Sequence, residues 1–295
     1  MLIASWNVNS IRSRLSQVIK WLEDVQPEVL CLQETKVTDK DFPNETFDKI
    51  GYSVQYYGQK SYNGVAIISK NKLSDIRYGF AGELNQPKIS EELNFQKRII
   101  SGLTNGIRII NVYVPNGSSI NSEKFKYKIN WLTMLNEYLI KQSKRGEPTC
   151  LLGDFNIALN DNDIYAPDKF AGGIMASEIE RQVLRKTLGK RFIDSFRVFE
   201  KLSGHWSWWD YRNNSYELNK GWRIDHIYIS NNLLSYLKSS VIERSQRENN
   251  QPSDHAPIMI NLDFEENLTE FNDDDDDIFN FCLLYTSDAA DEPSS

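Results

Sequence analysis

The sequence predicts an α/β sandwich. Short apolar runs rich in β-branched residues alternate with stretches whose apolar residues recur at helical spacing, throughout residues 2–262. The composition, 40% hydrophobic and 12% aromatic over 295 residues, is enough for a sizeable core. It excludes a collagen-like, disulfide-stapled or wholly disordered chain, and no internal repeat is present.

Taken in order, residues 2–8 (LIASWNV) predict a strand. Asn9 or Ser10 stands where a cap belongs. Ile11, Leu15, Val18, Ile19 and Leu22 follow as one helical stripe, which Pro27 ends. Residues 28–33 (EVLCLQ) predict a buried strand, so the chain opens as strand, helix, strand. Residues 52–57 and 64–69 are β-like runs joined by the turn-rich GQKSYN. Residues 98–103 and 107–114 flank Thr104-Asn105-Gly106, a hairpin signal. Phe125, Ile129, Leu132, Leu135 and Leu139 mark a long amphipathic helix. Residues 149–152 predict a strand running into GDFN, 177–188 a helix, and 222–229 and 257–262 the last strands.

The formal net charge of -7 is unevenly spread. Residues 265–295 hold eleven of the 41 acids and no Lys or Arg, leaving 34 basic and 30 acidic residues in 1–264, a net of +4. A phosphate-bearing partner is therefore not forbidden. Residues 1–264 are expected to be one domain, and 265–295 a solvated or non-native tail, because five consecutive aspartates repel one another. Cys31 and Cys150 lie in apolar runs and are expected as buried thiols; with Cys282 they make no CxxC pair, disulfide framework or zinc cluster. No basic segment followed by a long apolar run opens the chain, and no apolar run reaches about 18 residues. The expectation is a soluble protein of a reducing compartment without membrane contact.

Four motifs place hydrophilic groups just after or before apolar runs: Asn7 in SWNVNS, Glu34 in LQETK, Asp154 and Asn156 in LLGDFN, and Asp254-His255 in PSDHAP. Strand ends open into the clefts where α/β enzymes place their chemistry. Singly, each could cap a turn or the next helix, and Asp225 in GWRIDH could be a buried partner of Arg223. Jointly, they make an oxygen-rich donor set in a chain with only three histidines. Such a set suits Mg²⁺ or Mn²⁺ over zinc, and Mg²⁺ completes its shell with water and substrate phosphate. That points to phosphoester chemistry.

Eight motifs in this order, SWNVNSIR, LQETK, GQKSYNGVAI, NVYVPNG, LLGDFN, WSWWDYR, GWRIDH and PSDHAP, resemble the exodeoxyribonuclease III family of class II apurinic/apyrimidinic endonucleases. That family lies within the endonuclease/exonuclease/phosphatase superfamily, and the resemblance spans residues 1–264. It implies a four-layered α/β sandwich, two mixed β-sheets face to face with helices outside. It also implies a DNA-repair nuclease that needs Mg²⁺ (or Mn²⁺). Such an enzyme cuts duplex DNA 5′ to abasic sites, leaving a 3′-hydroxyl and a 5′ deoxyribose phosphate, and trims 3′ ends. The setting implied is a bacterial-type cytoplasm and the enzyme a monomer.

Residue by residue, the resemblance makes Glu34 the principal metal carboxylate, with Asn7 and Asp254 close to the same ion. Asp154 orients or deprotonates the attacking water, Asn156 positions it, His255 paired with Asp225 contacts the scissile phosphate, and Tyr113 stands near the leaving group. The metal set is then Asn7, Glu34, Asp154, Asn156, Asp254 and His255. Trp208, Trp222 and Ile224 match a pocket for a flipped-out baseless sugar, though at least two of Trp206, Trp208, Trp209 and Trp222 are expected to be structural. If HWSWWDY is a strand, Trp206 and Trp208 share one side. Lys36, Lys60, Lys124, Lys126, Lys128 and Arg223 are candidates for tracking the phosphate backbone. Relatives vary across residues 157–176, where no role is transferred, and His226 is assigned to packing. Other readings are a same-fold phosphodiesterase of lipid or inositol phosphates, or a non-catalytic DNA-binding relative.

Overall fold

The computed structural model describes residues 1–80, 84 and 93–264. Met1–Leu262 forms one compact unit. The acidic tail at 265–295 lies outside the described residues. Among those described, no helix is long and apolar enough to cross a membrane.

The strands are β1 (Leu2–Asn7), β2 (Val29–Gln33), β3 (Ser53–Tyr57), β4 (Val65–Ser69), β5 (Ser74–Tyr78) and β6 (Ile99–Thr104), then β7 (Ile107–Tyr113), β8 (Thr149–Asp154), β9 (Phe192–Asp194), β10 (Asp225–Ser230), β11 (Leu237–Ile242) and β12 (Ile258–Leu262). The helices are α1 (Ile11–Val25), α2 (Asn44–Asp48), α3 (Glu123–Ser143), α4 (Pro167–Phe170), α5 (Glu178–Leu188) and α6 (Ser195–Phe199). They build two six-stranded sheets, ordered β11-β12-β1-β2-β4-β3 and β5-β6-β7-β8-β10-β9. Both are mixed: β1–β2 and β7–β8 pair parallel, and the other neighbours antiparallel.

Side-chain alternation creates the layers. Ile3, Cys31 and Ile67 of the first sheet meet Ile109, Cys150, Leu152 and Ile227 of the second. The other face of the first sheet, with Ala4, Trp6, Leu30 and Leu32, is covered by Val18, Trp21 and Leu22 of α1. The other face of the second, with Ile110, Val112 and Leu151, is covered by α3 and α5 through Trp131, Leu135, Leu139 and Leu184. The result is the predicted four-layered sandwich, and Cys31 and Cys150 are buried free thiols inside it.

Most predicted elements appear within a residue or two. Asn105 and Gly106 both have positive φ (48° and 74°), the conformation a two-residue hairpin of right-twisted strands requires. Ser177 caps α5 as half of a capping box with Glu180. Ser10 precedes α1 without a side-chain cap; the Ser10 and Ile11 amides instead donate to the carbonyls of Glu34 and Thr35 (2.8 and 3.1 Å). The run 222–229 is strand only from Asp225; Trp222 makes isolated bridges to Ile164 and Trp208. Strands β5, β9 and β11 have no counterpart in the sequence reading. All three are sheet edges, with polar or half-exposed residues and no clean apolar alternation.

Asn111 ties the sheets together inside this apolar interior. Asn111 of β7 donates to the carbonyls of Leu32 and Ala66 in the facing sheet (2.9 and 2.8 Å) and accepts from Gln33 (2.7 Å). Each buried polar group left unpaired costs about 1–3 kcal/mol. Asn111→Leu should therefore lower unfolding stability by about 2–4 kcal/mol on that scale. An unchanged urea midpoint would show the bridge to be dispensable.

Candidate active site

The two sheets present the same end to one cleft. Asn7 is the last residue of β1, and Glu34 follows β2. Tyr113, Asp154 and Asp225 lie in one row across β7, β8 and β10, since Asp154 is in register with both others. Gly153 makes that row possible: its φ is 141°, and a Cβ there would sit 1.9 Å from the Val112 carbonyl oxygen.

The Asn7 amide nitrogen donates to Glu34 Oε1 and to Asp154 Oδ2, both at 2.9 Å, and so joins a carboxylate of one sheet to a carboxylate of the other. Glu34 has a left-handed backbone (φ 52°), and its Oε2 accepts from Lys36 at 2.9 Å. Asp154 Oδ1 accepts the Asn156 backbone amide (2.8 Å), and Asp154 Oδ2 the Asn156 side chain (3.2 Å). Asn156 is also bonded by Asn116 at 3.0 Å. On the other flank, His255 Nδ1 donates to Asp225 Oδ2 (2.8 Å), and His255 Nε2 stands 3.9 Å from Asp154 Oδ2. Asp254 lies at the rim, where its two oxygens accept from Asn9 and Trp208 (3.0 Å each).

Burial and charge set the protonation of this cluster. Burial pushes Asp154 up to about 7; Asp225 and Glu34 add to the shift, while His255 and Asn7 oppose it. Burial would lower the His255 imidazole, but the Asp225 and Asp154 carboxylates outweigh it and raise its pKa to about 10. Burial would likewise raise Glu34, yet Lys36 and Asn7 hold it below the usual carboxylate range. The Tyr113 phenol is driven well above its ordinary value, mainly by burial and then by Glu34. Single donor atoms of Glu34, Asp154 and His255 all lie within 4.8 Å of one another, the spacing of a cation site.

The family model of the endonuclease/exonuclease/phosphatase family matches residues 4–255. The chain belongs to that family. Exodeoxyribonuclease III of Haemophilus influenzae is 35% identical over 273 residues, 88% of this chain and 98% of that protein. A Neisseria 3′ phosphatase, solved with a product DNA hairpin, matches with a TM-score of 0.84 at 37% identity, covering 90% of this chain and 100% of the other. An AP endonuclease from Archaeoglobus fulgidus matches at 0.82 and 36%, covering 89% and 99%. The chain is thus a phosphodiester hydrolase among nuclease relatives.

Trp208, Trp222 and Ile224, the residues expected to line a pocket, come together beside this centre. Trp208 and Trp222 exchange backbone hydrogen bonds (2.9 Å each), their rings meet edge to face at 6.5 Å, and the Trp208 ring is 6.5 Å from His255. Ile224 packs in the same cluster, which Ile164 and Met175 from the 157–176 loop help to close. Trp206 and Trp209 pack together with Ala256 in a different cluster, as structural residues. The expected side-sharing of Trp206 and Trp208 is therefore corrected. The segment is held by isolated bridges and is no regular strand, so strand alternation does not apply.

The cation candidates divide. Lys60, Lys124 and Lys126 are exposed, Lys126 in an ion pair with Glu123 (2.7 Å), and Lys36 belongs to the centre itself. Arg223 and Lys128 are corrections. Arg223 is buried between Asp163 and Asp194, 2.7 Å from each, and Asp225 is not its partner. Lys128 is buried against Glu180 and donates to the carbonyls of Asn116 and Asn156 (3.1 and 2.8 Å). Both lie beside acidic residues distant in sequence, which a charge count along the chain does not reveal. His226 packs as expected, stacked on Tyr228 with a ring nitrogen on the Ile157 carbonyl.

Four residues of the site were missed: Asn9, Asn116, Ser207 and Ser253. Ser207 donates to Asp225 Oδ2 at 2.6 Å, and Ser253 donates to the Asn7 carbonyl at 2.6 Å while accepting the His255 amide. Each is an uncharged residue inside one of the motifs, near Asn7, Tyr113, Trp208 or Asp254.

Two measurements check these assignments. In metal-free protein, the His255 imidazole should keep both ring protons from pH 6 to 8, as read from its ring ¹⁵N shifts, and Asp225→Asn should lower its pKa. A wild-type midpoint near 6.5 would contradict the charge balance. Arg223→Met should lose about 3–5 kcal/mol of stability, because it strands two buried carboxylates. Weaker DNA binding at full stability would restore Arg223 as a phosphate contact.

Proposed function

We propose that this protein is a divalent-metal-dependent DNA-repair nuclease. In this reading it hydrolyses the backbone of duplex DNA 5′ to an abasic site, and it also trims 3′ ends. The observation that carries the proposal is the buried Asp154 carboxylate, held by Asn7 and Asn156, facing the His255–Asp225 pair and flanked by the Trp208–Trp222–Ile224 cluster. The relatives named above support the DNA substrate. The reading takes a monomer, since one chain supplies every group, and the bacterial relatives support a cytoplasmic setting.

The donor set fits a hard cation. Glu34 and Asp154 offer carboxylate oxygens within 4.8 Å of each other, and Asp254 supplies another carboxylate at the rim. Oxygen donors of this kind favour Mg²⁺, with Mn²⁺ as substitute. Glu34 would be the first carboxylate to hold it, with Asn7 orienting that carboxylate. When bound, the ion supplies charge neutralisation on the phosphate and on the leaving oxygen. His255, held by Asp225 and 3.9 Å from Asp154, faces the same space and serves as a donor to the phosphate.

The remaining steps belong to the side chains. Asp154, buried and held by Asn7 and Asn156, accepts the proton of the attacking water. Asn156, fixed by its bonds to Asp154 and Asn116, orients that water. The His255 imidazolium, held by Asp225, faces the charge that develops on the non-bridging oxygens. Tyr113 keeps its proton and so can donate to the leaving 3′ oxygen. The Trp cluster accepts a sugar without a base and excludes one that carries a base.

The test is a labelled duplex with one abasic site. Mg²⁺ should give a single cut 5′ to the lesion, and EDTA should abolish it. Asp154→Ala should slow the cut by about 10²–10⁴-fold, the usual worth of a placed base. A folded wild-type protein that leaves the duplex intact while cleaving inositol or lipid phosphodiesters would overturn the DNA assignment.

A further inference from the structure

A second recess opens beside Tyr113, sharing no lining residue with the Trp208–Trp222–Ile224 cluster. It has a volume of about 700 Å³, and Tyr62, Phe95, Arg98, Tyr113, Asn116 and Lys124 are among its walls. Tyr62 and Phe95 are 70% and 78% exposed, and with Leu202 they are the most exposed large apolar side chains among the described residues. Two such rings on one recess are costly in water unless something covers them.

They come from different segments that are fastened together. Tyr62 lies in the loop between β3 and β4, and Phe95 in the stretch before β6. With its amide nitrogen turned inward, Gln59 donates to the carbonyls of Phe95 and Gln96 (3.1 and 3.0 Å). The Gly64 amide donates to the Lys97 carbonyl (3.2 Å), and Lys97 Nζ to the Tyr57 hydroxyl (2.9 Å). The charged walls of the recess are Arg98, Lys124 and Glu123, the last paired with Lys126, and the recess leads to the active centre. Arg98 stacks on the Tyr113 ring at 4.6 Å, and Asn116 bonds Asn156 at 3.0 Å.

We propose that this recess binds one unpaired nucleobase of the cleaved strand, stacked on Tyr62 and Phe95, at the nucleotide 5′ to the scissile phosphate. The inference rests on the nuclease reading above. With the baseless sugar in the Trp cluster on the 3′ side, the recess beyond Tyr113 falls to the 5′ neighbour. Arg98 and Lys124 match the charge of its phosphate. A base inside a duplex has both faces covered, so only one freed by a mismatch or a fraying end can stack here. Stacking is tolerant of sequence, because every base has a π-face. The recess therefore makes local unpairing beside the cut a determinant of substrate choice.

The experiment compares two abasic duplexes, one with the 5′ neighbour paired and one with it mismatched. Wild type should show a KM about fivefold or more lower on the mismatched duplex, from the lower end of a single base–aromatic stack. Phe95→Ala and Tyr62→Ala should each reduce that preference, and Phe95→Trp should restore it. Separately, 2-aminopurine placed at the mismatched 5′ position should lose fluorescence on binding in EDTA with wild type, and less so with Phe95→Ala. The same preference in wild type and both alanine variants, or quenching that both leave intact, would overturn the proposal. If wild type cuts neither duplex, the nuclease reading fails, and the quenching in EDTA still decides the recess by itself.

Discussion

The Asn7 carboxamide is the point on which the site turns. Its single nitrogen reaches Glu34 at the edge of one sheet's cleft and Asp154 at the edge of the other's, at equal distance. A donor with two hydrogens and no charge suits this place. It brings two carboxylates close without neutralising either, so both stay available to a cation. It is fixed in turn by the fold: Ser253 holds the Asn7 carbonyl, and the Asn9 amide donates to the Asn7 side-chain oxygen. Side chains from all parts of the chain thus have one meeting point, and the sheet packing that defines the fold also defines the chemistry.

Burial explains how these groups divide their roles. Carboxylates excluded from water must find partners or shift toward the neutral form. Asp163 and Asp194 find Arg223, and Glu180 finds Lys128; these are closed pairs that brace the loops. Asp154 has only amide donors and a more distant imidazolium, so its pKa rises toward neutrality. Asp225 satisfies the imidazole and so keeps it charged. Chemistry is left to the groups whose partners do not complete them.

Much of this was legible in the chain itself. The strand–helix–strand opening, the Asn105-Gly106 hairpin, the long helix at Glu123–Ser143 and the ends of β1, β2 and β8 all follow from local pattern. The motif residues Asn7, Glu34, Asp154, Asn156, Asp225 and His255 are brought together as their positions at strand ends implied. What was not legible depends on distant partners or on exposure. The edge strands β5, β9 and β11 lack an apolar face to mark them. Arg223 and Lys128 read as surface cations because Asp163, Asp194 and Glu180 approach them only in the folded chain. Ser207 and Ser253 carry no charge, yet Ser207 makes a buried bond to Asp225 and Ser253 one to Asn7.

The central claim is that the two sheets build one cation-dependent centre around Glu34 and Asp154. Anomalous scattering from crystals soaked in Mn²⁺ addresses it without reference to any substrate. The account predicts a peak within about 2.5 Å of a Glu34 carboxylate oxygen, on the side facing Asp154, and its loss in Glu34→Gln crystals. A strong peak elsewhere, or none at millimolar Mn²⁺ in crystals with Glu34 and Asp154 in place, would contradict it.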